Sequence, residues 1–428
     1  MAPTTAKSIM KDFRASFRRK KVESTSKVDK ARELDNELSA KLAELKENIG
    51  DNLCLKYKDE CLIGFLRARS LNVKEAEKLV RMDDHLRKFL QMDDFIKNHE
   101  LSELNRNYSC SGIIGCDKEG SLVRVLNIGY SDVKGYINCI STIYNLKLFI
   151  FYIERDRILQ AEENKKTGKK CNQITYIVNL EHLSLNKIMC KPAIDTGIVA
   201  LKLMQEHFHD IVKNVFVINA PSFYSTVLKL FKPVIQDDLH RKIRMYDDAS
   251  SWKADLLKHI DADVLPMCYG GNRVEDDDET CPSIIRWGGT IPESYYLTAR
   301  LDPSDPDVMC VTVPAGSANN YRFYVPKVGM RWTWQIHAKE NDIGIGLFLD
   351  EHSTEEDKKM KKKKKATTED TSKLIQLTPI IRSQCQLCPE IGYATTWFKG
   401  TVVLHLDNTY SWMSSKEVLL KIMIGDSE

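Results

Sequence analysis

Two short runs in this 428-residue chain contain residue types that can hold a metal ion. The run "EHFHDI" at 206–211 offers His207, His209 and Asp210. Residues two apart do not share a helix face, so this spacing does not favour a common metal ion. The run "CQLC" at 385–388 has zinc-ligand spacing but no second ligand pair in the usual window, and two ordinary thiols are the simpler interpretation. The sequence therefore predicts no metal site.

Motifs for covalent catalysis or nucleotide binding are missing from the central part of the sequence. It has no G-x-G-x-x-G after a strand, no G-x-x-x-x-G-K-[ST], no G-x-S-x-G and no H-E-x-x-H. Without those glycines and nucleophiles, the sequence predicts a protein that is not an enzyme and that needs no cofactor.

An apolar helical face is predicted within "NAPSFYSTVLKLFKPVIQ", residues 219–236. At about 100° per residue its apolar side chains fill one arc of roughly 160°; they are Phe223, Tyr224, Val227, Leu228, Leu230, Phe231, Val234 and Ile235. Pro233 can kink this helix near its end. Periodicity alone leaves two interpretations open, a permanently packed core helix or a face that meets a ligand which comes and goes.

The elements around this helix alternate between residues 121 and 265. The extended runs "SLVRVLNIG", "ITYIVNL" and "NVFVINA" are each followed by a helical run, and this βαβαβα order predicts an α/β region with a largely parallel sheet. Helical periodicity precedes this region, and short alternating runs beyond residue 290 predict an antiparallel β-sandwich.

Composition and charge divide the chain into segments, since its length exceeds what one core usually supports. The predicted segments are a basic, disordered extension at 1–32, a helical region at 33–105, an α/β domain at 106–274, an acidic linker at 275–285 and a β-sandwich at 286–428. The start has no apolar signal region, no apolar run approaches the roughly 18 residues that span a bilayer, and the twelve cysteines are scattered. We therefore expect a cytoplasmic protein.

A dense run of lysines, "KKMKKKKK" at 358–365, is predicted to lie in a loop of the sandwich. One interpretation is docking to an anionic membrane through the five consecutive side chains Lys361, Lys362, Lys363, Lys364 and Lys365. The alternatives are a solvated loop without function, nuclear import, or nucleic-acid binding. Nucleic acid is the least favoured partner because the sequence shows no stacking platform or groove-reading element.

Several motifs resemble those of the CRAL-TRIO lipid-binding family. They are "DECLIGFLRARSLNVKEAEKLV" (59–80), "GCDKEGSLVRV" (115–125), in which Val123 stands where proline is usual, "INAPSFYSTVLKLFKPVIQDDLHRKI" and "WKADLLKHIDADVLPMCYGG". "IRWGGTIPESYYL" and "VVLHLDNTYSWMSSKEVLLKI" resemble the GOLD β-sandwich that follows in some members, as in Sec-fourteen-like proteins. The resemblance implies a helical N-terminal region, an α/β lipid-binding domain and an all-β GOLD domain.

The resemblance also implies a bound hydrophobic lipid under a mobile gate helix. The gate side chains would be Phe223, Tyr224, Val227, Leu228, Phe231, Val234 and Ile235. A lid that covers lipid when closed and enters a bilayer when open exchanges one apolar environment for another, so its motion needs no chemical energy source. Phosphatidylinositol, phosphatidylcholine, tocopherol and squalene-like lipids are all compatible with the family.

Alignment on Ala220-Pro221 assigns the headgroup charge pair of phosphatidylinositol-binding members to Asp210 and Lys242. Asp210 is one methylene shorter than the usual glutamate, and His209 replaces the usual proline. Arg67 and Arg69 resemble arginines near the cavity floor, and structural ion pairs are the alternative. The sequence thus predicts a lipid-transfer protein that binds anionic membranes peripherally and reversibly; the alternative is a lipid-regulated trafficking adaptor or sensor with a protein partner on the GOLD domain.

Overall fold

The structure, a computed structural model, describes residues 36–246, 248–353 and 370–426. The predicted basic extension at 1–32 and the lysines at 358–365 lie outside the described residues. The chain divides into two compact units, one ending at Arg81 and one beginning at Met82.

The first unit is helical, as predicted. Its core contains the leucines and the phenylalanine whose helical spacing was visible in the sequence, with Leu45, Leu62, Phe65 and Leu66 almost fully buried. The helices are α1 (36–49), α2 (Asp51–Lys56), α3 (Asp59–Ala68) and the first part of α4 (Val73–Phe89).

The second unit begins with an α/β region. Its sheet has the order β1-β2-β3-β4-β5, and all neighbours except the antiparallel pair β1–β2 are parallel. The largely parallel sheet is therefore confirmed. The strands are β1 (Ser111–Cys116), β2 (Leu122–Leu126), β3 (Ile174–Asn179), β4 (Val212–Ile218) and β5 (Ile243–Met245).

Helices cover both faces of this sheet. Ile174 and Tyr176 share a core with Ile150 of α8 and Leu203 of α10, while Phe216 packs with the α13 residues of a second core. The helices are α5 (Met92–Asn98), α6 (Glu103–Tyr108), α7 (Val133–Cys139), α8 (Thr142–Thr167), α9 (Leu185–Ile188), α10 (Lys191–His207), α11 (Tyr224–Phe231), α12 (Asp237–Lys242) and α13 (Ala249–His259).

The segment predicted as an acidic linker packs against the sheet. Ile285 is fully buried and bridges Gly112 of β1. A side chain at Gly112 would meet the Ile284 carbonyl oxygen at 2.0 Å, so this close approach needs glycine. Residues 275–285 are thus part of the folded unit, and the predicted domain bounds stay predictions.

The last part of the second unit consists of two four-stranded antiparallel sheets, which confirms the predicted all-β architecture. Their orders are β10-β9-β12-β7 and β11-β8-β13-β6. The strands are β6 (Met309–Val313), β7 (Ala318–Val325), β8 (Met330–Ala338), β9 (Ile343–Asp350), β10 (Ile375–Ser383), β11 (Glu390–Thr395), β12 (Gly400–Asp407) and β13 (Lys416–Asp426).

One apolar core runs from the α/β region into this sandwich. The Phe89 ring lies 6.0 Å from Trp332 and 5.7 Å from Trp334, measured between ring centroids. The fully buried Glu390 of β11 accepts hydrogen bonds from the first two N–H groups of α8, at Thr142 (2.6 Å) and Ile143 (3.1 Å). These are N–H groups that a helix cannot satisfy itself, so the sandwich caps α8.

Candidate functional site

The predicted gate is the eight-residue helix α11, and it is shorter than the sequence suggested. The helix ends at Phe231, so Val234 and Ile235 follow it instead of extending its face. The reason is Pro233, which lacks an N–H and clashes with the preceding turn. The segment begins at Asn219, whose φ angle of +52° is a left-handed conformation that asparagine tolerates.

The apolar side chains of this segment are only partly covered. Phe223, Tyr224, Leu228 and Phe231 are half-buried, and burial raises the pKa of the Tyr224 hydroxyl. Val234 and Ile235 are also half-buried, whereas the side chain of Val227 lies outside the described part of the chain. These residues therefore share a partly exposed apolar segment, and their contact with lipid stays a prediction.

Helix α10 supports α11 at a glycine. A Cβ atom added at Gly197 would lie 3.3 Å from Cε1 of the Phe231 ring. The absence of a side chain at this position lets the ring approach the α10 backbone, so the C-terminal end of α11 rests directly on α10.

A buried side chain of α10, Gln205, fixes the chain after Pro233. Its Nε2 atom donates to the Val234 carbonyl oxygen (2.9 Å), and its Oε1 atom accepts from the Gln236 N–H (2.7 Å). Both are backbone groups left without helical partners by the break. Sequence reasoning missed Gln205, although Leu201, Met204, Gln205 and Phe208 share one helix face and a polar residue there needs partners.

The predicted headgroup residues line one small cavity of about 20 Å³ between α10, β4 and α12. Asp210 has φ +60° in the turn after α10, and Lys242 ends α12. Lys242 Nζ lies 2.7 Å from Oδ2 of Asp238, and this hydrogen bond is the main cause that lowers the pKa of the Asp238 carboxyl. Sequence reasoning missed Asp238, which the i, i+4 spacing to Lys242 could have indicated.

The two histidines of "EHFHDI" point to different partners. His207 Nδ1 lies 2.7 Å from Oδ1 of Asp83, whereas His209 Nε2 lies 3.8 Å from Oδ1 of Asp210. The potential ligand atoms of His209, Asp210 and Asp238 lie within 4.8 Å of one another. The ammonium group of Lys242 already compensates the Asp238 carboxylate, so charge does not favour a metal ion there.

The other predicted headgroup residues, Arg67 and Arg69, belong to the first unit. Arg67 lies in α3 and Arg69 follows it, and Arg69 Nη1 donates to the Ala68 carbonyl oxygen at 3.3 Å. Their role near a cavity floor stays a prediction. Lys361 to Lys365 lie outside the described residues.

No single helix within 36–246, 248–353 and 370–426 has the length and apolar character needed to cross a membrane. Val133–Cys139 and Thr142–Thr167 meet the criterion only as a pair bent by 109°.

Comparison with known proteins identifies the α/β region. Residues 106–271 match the family model of the CRAL/TRIO domain. Protein ctg-1 of Caenorhabditis elegans is 27% identical over 381 residues, which cover 89% of this chain and 93% of that protein. The crystal structure of Sfh5 aligns with 51% of this chain and 83% of its own at 14% identity, with a TM-score of 0.39. The domain match ends before the β-sandwich.

Proposed function

We propose that this chain, which carries a CRAL/TRIO domain at residues 106–271, binds one hydrophobic lipid beneath α11 and exchanges it at membranes without covalent chemistry. The observation that carries the proposal is a set of half-buried apolar side chains within the matched domain, namely Phe223, Tyr224, Leu228, Phe231, Val234 and Ile235. A permanent core helix of this apolar character is normally buried along its whole face.

The contacts of α11 suit a lid. Its C-terminal end rests on Gly197 through Phe231 and is fixed by Gln205 just beyond Pro233. The turn at Asn219 and the break at Pro233 are two positions where backbone rotation could let the helix swing. Because its apolar face would meet lipid when closed and bilayer when open, the two states differ little in apolar burial.

The cavity lined by Asp210, Asp238 and Lys242 is our candidate for contacting a polar headgroup; at about 20 Å³ it has room for about one water molecule and must open to admit a headgroup. A phosphate would offer Lys242 a charged partner in place of Asp238. An uncharged lipid would leave the pair of Lys242 and Asp238 intact. The lipids therefore differ in their effect on this ion pair. Phosphatidylinositol and phosphatidylcholine carry a phosphate that can bind Lys242, whereas tocopherol-like and squalene-like lipids carry none. We place this activity in the cytoplasm and at anionic membrane surfaces.

A second candidate function is that of a lipid-regulated adaptor or sensor, in which the sandwich acts as a GOLD domain that binds a protein partner. The observation that favours it is the position of α10. Two residues before Gly197, Asp195 lies 3.8 Å from Nε of Arg382 in β10. A helix that touches both the candidate gate and the sandwich can couple lipid occupancy to a surface elsewhere.

Lipid extraction and mass spectrometry of the full chain, purified from its own cells, test the first proposal. We expect one lipid class at near-stoichiometric amount, and transfer of that lipid between donor and acceptor vesicles by the purified protein alone. Lipid that is retained without transfer would favour the sensor, and a protein without lipid would contradict both functions.

A further inference from the structure

The loop between β12 and β13 presents two large apolar side chains to solvent. Trp412 is 93% exposed and Met413 is 94% exposed, the highest values among large hydrophobic residues of the described chain. Large apolar side chains placed in water in this way often mark an interaction site.

The base of this loop is firmly built. The fully buried Asn408 donates from Nδ2 to the carbonyl oxygens of Pro314 (3.0 Å) and Ser414 (3.0 Å). The Gly316 N–H donates to the Ser411 carbonyl oxygen at 2.7 Å. The tip is therefore supported from both sides, which lowers the ordering cost of binding through it.

The chemistry of the tip suits the interface of a lipid bilayer. Residues 409–415, "TYSWMSS", contain no charged side chain, and the next residue, Lys416, is buried against Asp342 with Nζ 2.9 Å from Oδ1. Tryptophan prefers the level of the lipid headgroups, and methionine adapts to irregular apolar surroundings. Because these seven residues carry no charged side chain, insertion to the level of the headgroups avoids the largest desolvation penalty, that of a buried charge.

The loop is connected by contacts to the candidate gate. The guanidinium of Arg382 lies 3.6 Å from the ring centroid of Tyr410, and its Nε lies 3.8 Å from Asp195 of α10. Gly197, two residues further along α10, lies against the ring of Phe231 in α11. Just before α10, Leu185 of α9 is 56% exposed and Met189, which follows α9, is 75% exposed. The apolar loop tip and a second apolar segment thus lie near the same end of α10.

We propose that Trp412 and Met413 insert into the headgroup layer of a lipid bilayer and hold α11 against the membrane. This inference rests on the proposed lipid exchange, for which it supplies the docking element. It does not depend on the lysine run, which lies outside the described residues, and the described strand ends on either side of that run, Asp350 of β9 and Ile375 of β10, lie at the opposite end of the sandwich from the Trp412 loop. In the β9–β12 pair Asp350 faces Thr401, whereas Gly344 faces Asp407, next to the Trp412 loop.

The test compares the full chain with the double variant Trp412→Ser/Met413→Ser in flotation with neutral phosphatidylcholine vesicles. The matched control is Val328→Ser, an exposed apolar residue (61%) in the β7–β8 turn at the other end of the sandwich. We expect the vesicle partition coefficient to fall about tenfold or more for the double variant and less than about twofold for the control. Unchanged partitioning of the double variant would overturn the proposal.

A second measurement reports insertion directly. Brominated phosphatidylcholine should quench tryptophan fluorescence of the wild type, and Trp412→Phe should remove most of that quenching while retaining vesicle binding. Binding without quenching would overturn insertion, and loss of a co-purifying protein with no change in flotation would assign the tip to a protein partner instead. Lipid content is measured on the same samples: a chain that is quenched but carries and transfers no lipid would contradict the proposed function and leave insertion supported.

Discussion

The Gln205 side chain donates a hydrogen bond to the Val234 carbonyl oxygen, 2.9 Å away, and so ties the segment after the candidate gate to α10. Gln205→Leu keeps the approximate volume but leaves two half-buried backbone groups without their partner. Such a loss costs about 1–3 kcal/mol. We expect the closed gate to lose part of its stability, and vesicle-to-vesicle lipid transfer to become about five- to tenfold faster.

Lys202→Leu, on an exposed position of the same helix, is the control for the Gln205 variant and should leave transfer unchanged. A Gln205 variant with a lower melting temperature and wild-type transfer would show that this side chain only stabilises the fold.

Phe231→Asp places a carboxylate on the face that rests on Gly197 and, in the proposed function, meets lipid. An apolar environment disfavours an unpaired carboxylate by several kcal/mol. We therefore expect transfer to fall at least tenfold, with Phe231→Leu close to wild type. Circular dichroism should show a folded protein, whereas Val217→Asp in the buried strand β4 should unfold it. Wild-type transfer by Phe231→Asp would remove α11 from the proposed mechanism.

Lys242→Ala tests the headgroup cavity. It removes the ammonium group that pairs with Asp238 at 2.7 Å, so the pKa of Asp238 should rise towards its ordinary range. Retention of phosphatidylinositol, measured by mass spectrometry, should fall more than retention of phosphatidylcholine. Lys258→Ala, which removes an exposed lysine that pairs with Asp255 of α13 at 3.2 Å, is the matched control. Equal loss of both lipids would make Lys242 a structural residue.

The same ion pair predicts a pH dependence. The pKa of Asp238 is lowered in the folded chain, so its contribution to stability is present above the pKa of the unfolded chain and is lost as the pH falls through the lower, folded value. Denaturant titrations of wild type and Asp238→Asn should therefore differ at neutral pH and converge in strong acid. The difference should stay below about 1 kcal/mol because the pair is partly exposed. A constant difference down to strong acid would contradict this assignment.

Glu390→Gln tests whether the sandwich stabilises α8. Ser141, at the N-cap of α8, makes no side-chain capping bond, and Glu390 supplies both acceptors for the first two N–H groups. An amide can offer only one oxygen, so we expect a loss of about 1–3 kcal/mol in the free energy of unfolding. Calorimetry should show a lower melting temperature, with the exposed Glu417→Gln of β13 as control. A melting temperature equal to that of the control would exclude this role.

The sequence predicted the order of elements because periodicity and turn residues are local. Helix α8, the parallel strands and strands such as β8 and β12 follow from their own residues. The short strand β11, "EIGYAT", was missed because only Ile391 and Tyr393 alternate as apolar residues in it, and both are exposed while Glu390 is buried. The end of α11 at Phe231 was only partly foreseen, since the sequence offered Pro233 as a kink and not as the end of the helix.

Contacts between distant parts of the chain were not predictable from these patterns. From its residue type alone, Glu390 would be expected at the protein surface. Only the folded sandwich brings its carboxylate to the Thr142 N–H group. A glutamine on a helix can lie in solvent or be buried with hydrogen-bond partners. The burial of Gln205 depends on where the chain runs after Pro233, which no local pattern shows. Trp412 shows the opposite case, because its type favours burial and its loop exposes it.

The cap on α8 can form only late in the synthesis of the chain. Glu390 follows Thr142 by 248 residues, so at about 5–20 residues per second the ribosome needs roughly 12–50 s to supply it. Throughout that interval the nascent α/β region has an uncapped α8, and Phe89 lacks Trp332 and Trp334 for most of it. We therefore expect the growing chain to need chaperones that shield its apolar surface until the last strands emerge.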